Sequence, residues 1–181
     1  MHNKRLTILA INLGTRYLGI AVLKRSILID WSVKVVNGMK AQFKLNKAID
    51  IITSLIDYYQ PDTIVLKKLH SSRSSLRLNK LSLKVEELSM INRIKLIKYS
   101  IQEVEAFHSP ERRINKTTLA ELICQKHPVL RHELQKEQNN LNPYHIRMFE
   151  AVALGTMAEE KCQMSTSSTD VNLVFPLSCH V

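Results

Sequence analysis

The chain has 181 residues, with 26 Lys and Arg against 16 Asp and Glu and a formal net charge of +10. Its 45% apolar and 23% charged residues are the composition of one globular domain with a core of its own, and exclude a disordered or low-complexity chain. The positive excess favours a polyanionic partner, because neutralising phosphates releases condensed counterions.

Residues 8 to 11, Ile-Leu-Ala-Ile, are a nearly continuous apolar run, the pattern of a strand buried on both faces. Gly14 permits a tight turn. Residues 17 to 23 form a second strand, and Lys24, Arg25 and Ser26 connect it to a third over 27 to 36, with Trp31, Val33 and Val35 on one face. Apolar residues then recur at three and four (Leu45, Ala48, Ile49, Ile52, Leu55, Ile56), which predicts a helix over 42 to 59. Gln60, Pro61 and Asp62 stop it, with Asp62 shaping the turn. Residues 63 to 66, Thr-Ile-Val-Leu, read as a buried strand. Following a helical crossover, that strand should run parallel to an earlier one.

Residues 70 to 80 are polar and basic and predict an exposed loop, with a helix following over 78 to 98. A fifth strand is predicted over 101 to 107, ended by Ser109 and Pro110. Residues 115 to 118 can cap a helix to Lys126, with Thr118 and Glu121 at capping-box spacing. Residues 134 to 142 predict a loop. Pro143 fits the first turn of a final helix, whose inner face carries Ile146, Phe149, Ala153 and Met157. Residues 165 to 169, Ser-Thr-Ser-Ser-Thr, predict a flexible linker, and 171 to 181 an apolar tail.

Cys124, Cys162 and Cys179 are odd in number and lack a short metal spacing, which reads as reduced thiols. The basic start, Met1 to Arg5, leads into an apolar run that Asn12 and Gly14 interrupt, so it does not read as a signal peptide. No apolar stretch is long enough to span a bilayer. The expected location is cytoplasmic, with no membrane partner. The seven histidines form no short zinc motif; His70 and His108 follow predicted strands and are candidates to face a cleft, though ordinary polar positions are favoured.

Four segments, in order, share a resemblance. They are the strand pair over 8 to 22 with its Gly14-Thr15-Arg16 turn; Pro61-Asp62-Thr63-Ile64-Val65-Leu66-Lys67-Lys68-Leu69; Val104-Glu105-Ala106-Phe107-His108-Ser109-Pro110; and residues 144 to 154, Tyr-His-Ile-Arg-Met-Phe-Glu-Ala-Val-Ala-Leu. Together, over about residues 6 to 160, they resemble the RuvC-type Holliday-junction resolvases of the ribonuclease-H-like superfamily. The resemblance implies an α/β fold with a mixed five-stranded sheet, the first three strands antiparallel and the later ones parallel, flanked by helices on both faces. Residues 1–160 would be the RuvC-like domain and 161–181 the linker and tail. It also implies nucleic acid as partner, branched or duplex DNA before RNA, and a homodimer.

That family cleaves phosphodiesters with two divalent metals held by carboxylates from the first strand, the central strand and the closing helix. Residue by residue, the acids fall on Asn12, Lys67, Arg147 and Glu150, and only Glu150 is acidic. Lys67 and Arg147 put positive charge where cations should sit; two unit charges 4 Å apart repel by about 4 kcal/mol at an effective dielectric of 20. No metal is therefore expected in the family's geometry. The expectation is a nucleic-acid-binding protein without the two-metal nuclease. The alternative is an active, Mg-dependent structure-selective endonuclease with displaced ligands, drawn from Asp30, Glu86, Glu87, Glu103 and Glu105; these acids read first as surface residues.

Lys67, Lys68, Arg73, Arg77, Lys80 and Lys84 are the candidate nucleic-acid contacts. Within the resemblance they lie at the cleft and its rim, where Lys and Arg would hold phosphates without reading sequence. Two further readings rank lower. One is an ATP-binding relative, which needs a second glycine-rich phosphate loop that four glycines do not supply. The other is a purely structural subunit docking through its tail.

Overall fold

A computed structural model describes residues 6–38, 40–70, 74–139 and 144–167. The strands are β1 (Thr7–Asn12), β2 (Tyr17–Lys24), β3 (Ile27–Val35), β4 (Thr63–Lys67) and β5 (Lys95–Tyr99). The helices are α1 (Ala41–Tyr59), α2 (Leu76–Ile91), α3 (Ile101–His108), α4 (Lys116–Lys126), α5 (Arg131–Asn139) and α6 (Ile146–Ser167). The sheet order is β3-β2-β1-β4-β5. β1 to β3 are antiparallel, while β4 pairs parallel with β1, and β5 parallel with β4. The mixed five-stranded arrangement is the expected one.

Strand alternation divides the apolar side chains between two cores. Ile8, Ala10, Ala21, Leu23 and Val65 face α3, α4 and α6; Leu9, Ile11, Ile20, Val22, Ile64 and Leu66 face α1 and α2. Helices therefore cover both faces. α6 is buried without a break from Met148 to Glu159. It approaches closely because the residues between it and the sheet are small: a Cβ on Gly155 would stand 2.4 Å from Leu23 Cδ1 and 3.2 Å from Ala10 Cβ.

Several sequence expectations are corrected. The fifth strand is at Lys95–Tyr99, and the predicted strand over 101 to 107 is α3. Ser100 accepts from the Glu103 backbone N–H while Glu103 accepts from the Ser100 N–H, a reciprocal cap that starts a helix there. α2 ends at Ile91, with Arg93 in the left-handed region at φ 55°. Lys95 and Lys98 thus leave the helix for the edge strand β5. The loop expected over 134 to 142 is, as far as residue 139, α5, which follows a 3-10 turn over Pro128–Leu130. Its Glu137 accepts from the His145 backbone N–H at 3.1 Å, and Glu133 lies 3.3 Å from His145 Nδ1.

At α4 the cap is Asn115, whose side chain accepts from Thr118 N–H, and not a box between Thr118 and Glu121. α6 continues through Ser167, so the boundary expected after residue 160 and the start of the linker fall inside a helix. Pro143, the remainder of the linker and the apolar tail lie outside the described residues. Among the described residues no helix is long and apolar enough to cross a membrane.

Candidate functional site

Parity along the strands sets the site. Ile8 and Ala10 face α6, so Asn12, two residues on, faces α6 as well. Val65 of β4 faces α6, so Lys67 does too. β1 and β4 are neighbours in the sheet, which sets Asn12 and Lys67 side by side at their C-terminal ends. The first turns of α6 cross above them. Gly19 allows that crossing: a Cβ there would lie 2.0 Å from the Arg147 carbonyl oxygen.

Glu150 points into this junction and is 2% exposed. Its Oε2 accepts from Asn12 Nδ2 and from the Lys67 ammonium at 2.7 Å. Its Oε1 lies 3.1 Å from the Lys116 ammonium at the start of α4, an ionic approach outside hydrogen-bonding angles. Asn12 is itself buried, and its Nδ2 also reaches the Arg147 carbonyl at 3.5 Å. Burial works to raise the Glu150 carboxyl, but Lys67 and Lys116 together outweigh it and hold the group below the ordinary carboxylate range.

Three of the four positions named from sequence therefore meet through side chains: Asn12, Lys67 and Glu150. Arg147 meets them only through its backbone. Its guanidinium turns to the Gly14 turn, where Nη1 donates to the Leu13 carbonyl at 3.4 Å. Lys116 is the residue that sequence reasoning missed. One signal was available: an ammonium in the first turn of a helix opposes the helix dipole, and such a placement calls for an anion nearby. Beside the site Tyr17 and Tyr144 stack with ring centroids 5.5 Å apart.

The alternative acids are engaged elsewhere. Glu86 pairs with Lys98, Glu87 with Lys84, and Glu103 caps α3. Asp30 accepts from the Tyr59 hydroxyl, and Asp62 accepts from Thr7 N–H. Glu105 lies on α3 and not on a strand. His108 does not face the cleft: Nε2 contacts the Ala153 carbonyl at 3.0 Å, between α3 and α6. Burial pushes its imidazole down from the ordinary value.

Among the described residues no three His, Cys, Asp or Glu groups gather as a metal cluster. The donors at the site are one carboxylate, one amide and two ammoniums. That set does not fit a hard dication, which takes oxygen ligands.

Of the candidate nucleic-acid contacts, Lys67 is at the site and the exposed Lys68 follows it. Arg77, Lys80 and Lys84 lie on one flank of α2, at helical spacing of three and four. Arg73 lies outside the described residues.

A mixed sheet of this order, with side chains from β1, β4 and the closing helix meeting at one place, is the ribonuclease-H-like architecture. Within it, the chain has a RuvC-like resolvase fold. No protein-family model and no curated protein sequence matches it, but solved structures do. Thermus thermophilus RuvC in complex with a Holliday junction substrate superposes with a TM-score of 0.66 at 12% identity, over 89% of this chain and 97% of that one. The yeast mitochondrial Holliday junction resolvase gives 0.61 at 14% identity, over 91% and 86%. The fowlpox virus resolvase, with its substrate Holliday junction DNA, gives 0.59 at 13%, over 87% and 99%. At such identities the likeness is one of fold.

Proposed function

We propose that this protein binds nucleic acid through phosphate contacts, with branched DNA as the favoured ligand, and does not hydrolyse it by the two-metal route. The observation that carries the reading is the bracketing of Glu150, the one acid at the four family positions, by the ammoniums of Lys67 and Lys116 at 2.7 and 3.1 Å. A dication on Glu150 would lie within a few ångströms of both, and each contact would cost several kcal/mol. Taken with Glu150, the two ammoniums leave a net positive site, which suits a phosphodiester.

The binding surface of this reading is Lys67, Lys68, Arg77, Lys80 and Lys84, with Arg73 beside them in sequence. The net charge of +10 supports it, as do the junction complexes of the Thermus and fowlpox proteins. A homodimer belongs to the same reading, by resemblance to the RuvC-type proteins.

The test is titration of a fluorescent four-way junction and a duplex at several salt concentrations, first in EDTA and then with Mg²⁺ or Mn²⁺. Binding in EDTA that weakens steeply with salt, and no cleavage with either metal, is the expected result. Junction cleavage that Glu150→Ala abolishes would establish the active-endonuclease alternative. Absence of salt-sensitive binding would leave a structural subunit.

A further inference from the structure

The far end of α6 carries a second buried carboxylate, one that the nucleic-acid reading does not use. Glu159 lies roughly 13 Å along the helix from Glu150 and is 5% exposed. It lines a cavity of about 370 Å³ between the β2–β3 hairpin, the end of α4 and the later turns of α6, a size within the range of small-ligand sites. The hairpin turns towards this carboxylate at some cost. Arg25 and Ser26 both stand at positive φ, 53° and 65°, in a two-residue turn where Asn and Gly are the usual occupants. The Ser26 backbone N–H donates to Glu159 Oε1, and Gln163 Nε2 donates to Ser26 Oγ at 2.8 Å.

Among the described residues no cation pairs with Glu159. Its charged neighbour is Glu160, which lines the same cavity and accepts from the Lys126 ammonium at 2.9 Å. That pair is neutral as a whole, so the charge of Glu159 stays unmatched. Burial, with Glu160 beside it, pushes the Glu159 carboxyl above the ordinary carboxylate range, against the Ser26 hydrogen bonds. A buried carboxyl in this position keeps a proton or takes a cation. The neighbouring groups are acceptors too. Thr156 Oγ1 donates its proton to the Val152 carbonyl at 2.9 Å, so in its 3.0 Å contact with His127 Nε2 the imidazole is the donor. Burial pushes that imidazole down from its ordinary value, and the neutral ring keeps Nδ1 as an acceptor.

We propose that this cavity takes an alkylguanidinium group, with Glu159 as its counter-charge. The site is independent of nucleic-acid binding. A buried carboxylate among acceptors calls for a ligand that is both cationic and rich in donors. A guanidinium carries five N–H donors in a planar fork that matches a carboxylate, and is more weakly hydrated than an ammonium. Glu159 and Glu160 turn anions away. A free small molecule and an arginine of a partner chain share this chemistry.

The test is titration of the full chain at a mildly alkaline pH, where Glu159 is ionised, read by the amide chemical shifts of Ser26 and His127. Millimolar ethylguanidinium should bind saturably. Its neutral isostere N-ethylurea should bind at least tenfold more weakly, and Glu159→Gln should weaken ethylguanidinium at least tenfold with the circular dichroism spectrum retained. Should Glu159→Gln fail to fold, Glu160→Gln decides: it frees the Lys126 ammonium to compete for the cavity, and binding should again weaken. A blocked peptide, acetyl-Ala-Arg-Ala-amide, separates the two sources. Binding at least as tight as that of ethylguanidinium assigns the site to a partner's arginine, and weaker binding assigns it to a free small molecule. Shifts that do not saturate, equal binding of N-ethylurea, or binding unchanged in Glu159→Gln overturn the proposal.

Discussion

The Lys67 ammonium lies 2.7 Å from Glu150 Oε2, where β4 ends beneath the first turns of α6. Glu150 is 2% exposed on its side chain and Lys67 22%, so the pair is largely shielded from water. Removing one partner of such a pair leaves a buried charge with little solvation. Lys67→Met should therefore lower the unfolding free energy by about 3 kcal/mol in urea denaturation. Lys116 is 57% exposed; solvent screens it, and Lys116→Met should cost less than about 1 kcal/mol. Equal losses in the two variants would contradict the division of labour drawn for them.

Acid should expose the same pair. Folding holds the Glu150 carboxyl below its ordinary range, so as pH falls the unfolded chain takes up this proton before the folded one does. The stabilisation is present above the unfolded value, about 4.3, and is lost as pH drops through the lower folded value. In Glu150→Gln the component is missing. The stability difference between the wild type and this variant should shrink as urea titrations move from pH 5 towards pH 3. A difference that stays constant across that window would contradict the ionised, paired Glu150.

Gly19 tests the crossing of α6 over β2. An added Cβ would meet the Arg147 carbonyl oxygen at 2.0 Å and the Met148 nitrogen at 2.8 Å. Both are backbone atoms, so the helix must move as a body. Gly19→Ala should cost about 2 kcal/mol or more and loosen the contact of Asn12 with Glu150. Thermal melting measures the first effect, and hydrogen exchange at the start of α6 the second.

Restoring acids should create a metal site. Asn12→Asp, Lys67→Glu and Arg147→Asp together set three new carboxyl groups near Glu150, and Lys116→Ala removes the remaining ammonium beside it. Without metal, mutual repulsion should lower the melting temperature. Millimolar Mg²⁺ or Mn²⁺ should raise it again, by about 2.7 kcal/mol of stability at one hundred times the dissociation constant. Calorimetry should detect binding that the wild type lacks. The same set with Lys116 retained should bind more weakly.

The first four strands were legible in the sequence as short apolar runs set off by a few turn residues, and the meeting of Asn12, Lys67 and Glu150 was legible only through the resemblance to the RuvC-type resolvases. β1 and β4 are short apolar runs bounded by Gly14 and by Pro61 and Asp62, and these leave little freedom of register. The region after residue 91 was not legible in the same way. Lys95 to Tyr99 is only five residues, half-exposed at the sheet edge, and its lysines read as a continuation of the helical charge pattern. Residues 101 to 107 contain Ile, Val and Phe at plausible strand spacing, and only the cap formed by Ser100 and Glu103 settles the matter for a helix. Lys116 escaped notice because its partner is distant in sequence and the first turn of a helix is a poor place for a cation.

Asn12 donates both to Glu150 and to the Arg147 carbonyl, and so binds the first strand to the last helix through one amide. A carboxylate at position 12 can donate to neither, and would repel Glu150 in the bargain. A change of Lys67 alone leaves the buried Glu150 only the solvent-screened Lys116, and a change of Glu150 alone leaves two ammoniums without their shared carboxylate. Each single change at Asn12, Lys67 or Glu150 therefore leaves an unmatched group behind, so the three side chains are interdependent and can be exchanged for other chemistry only together.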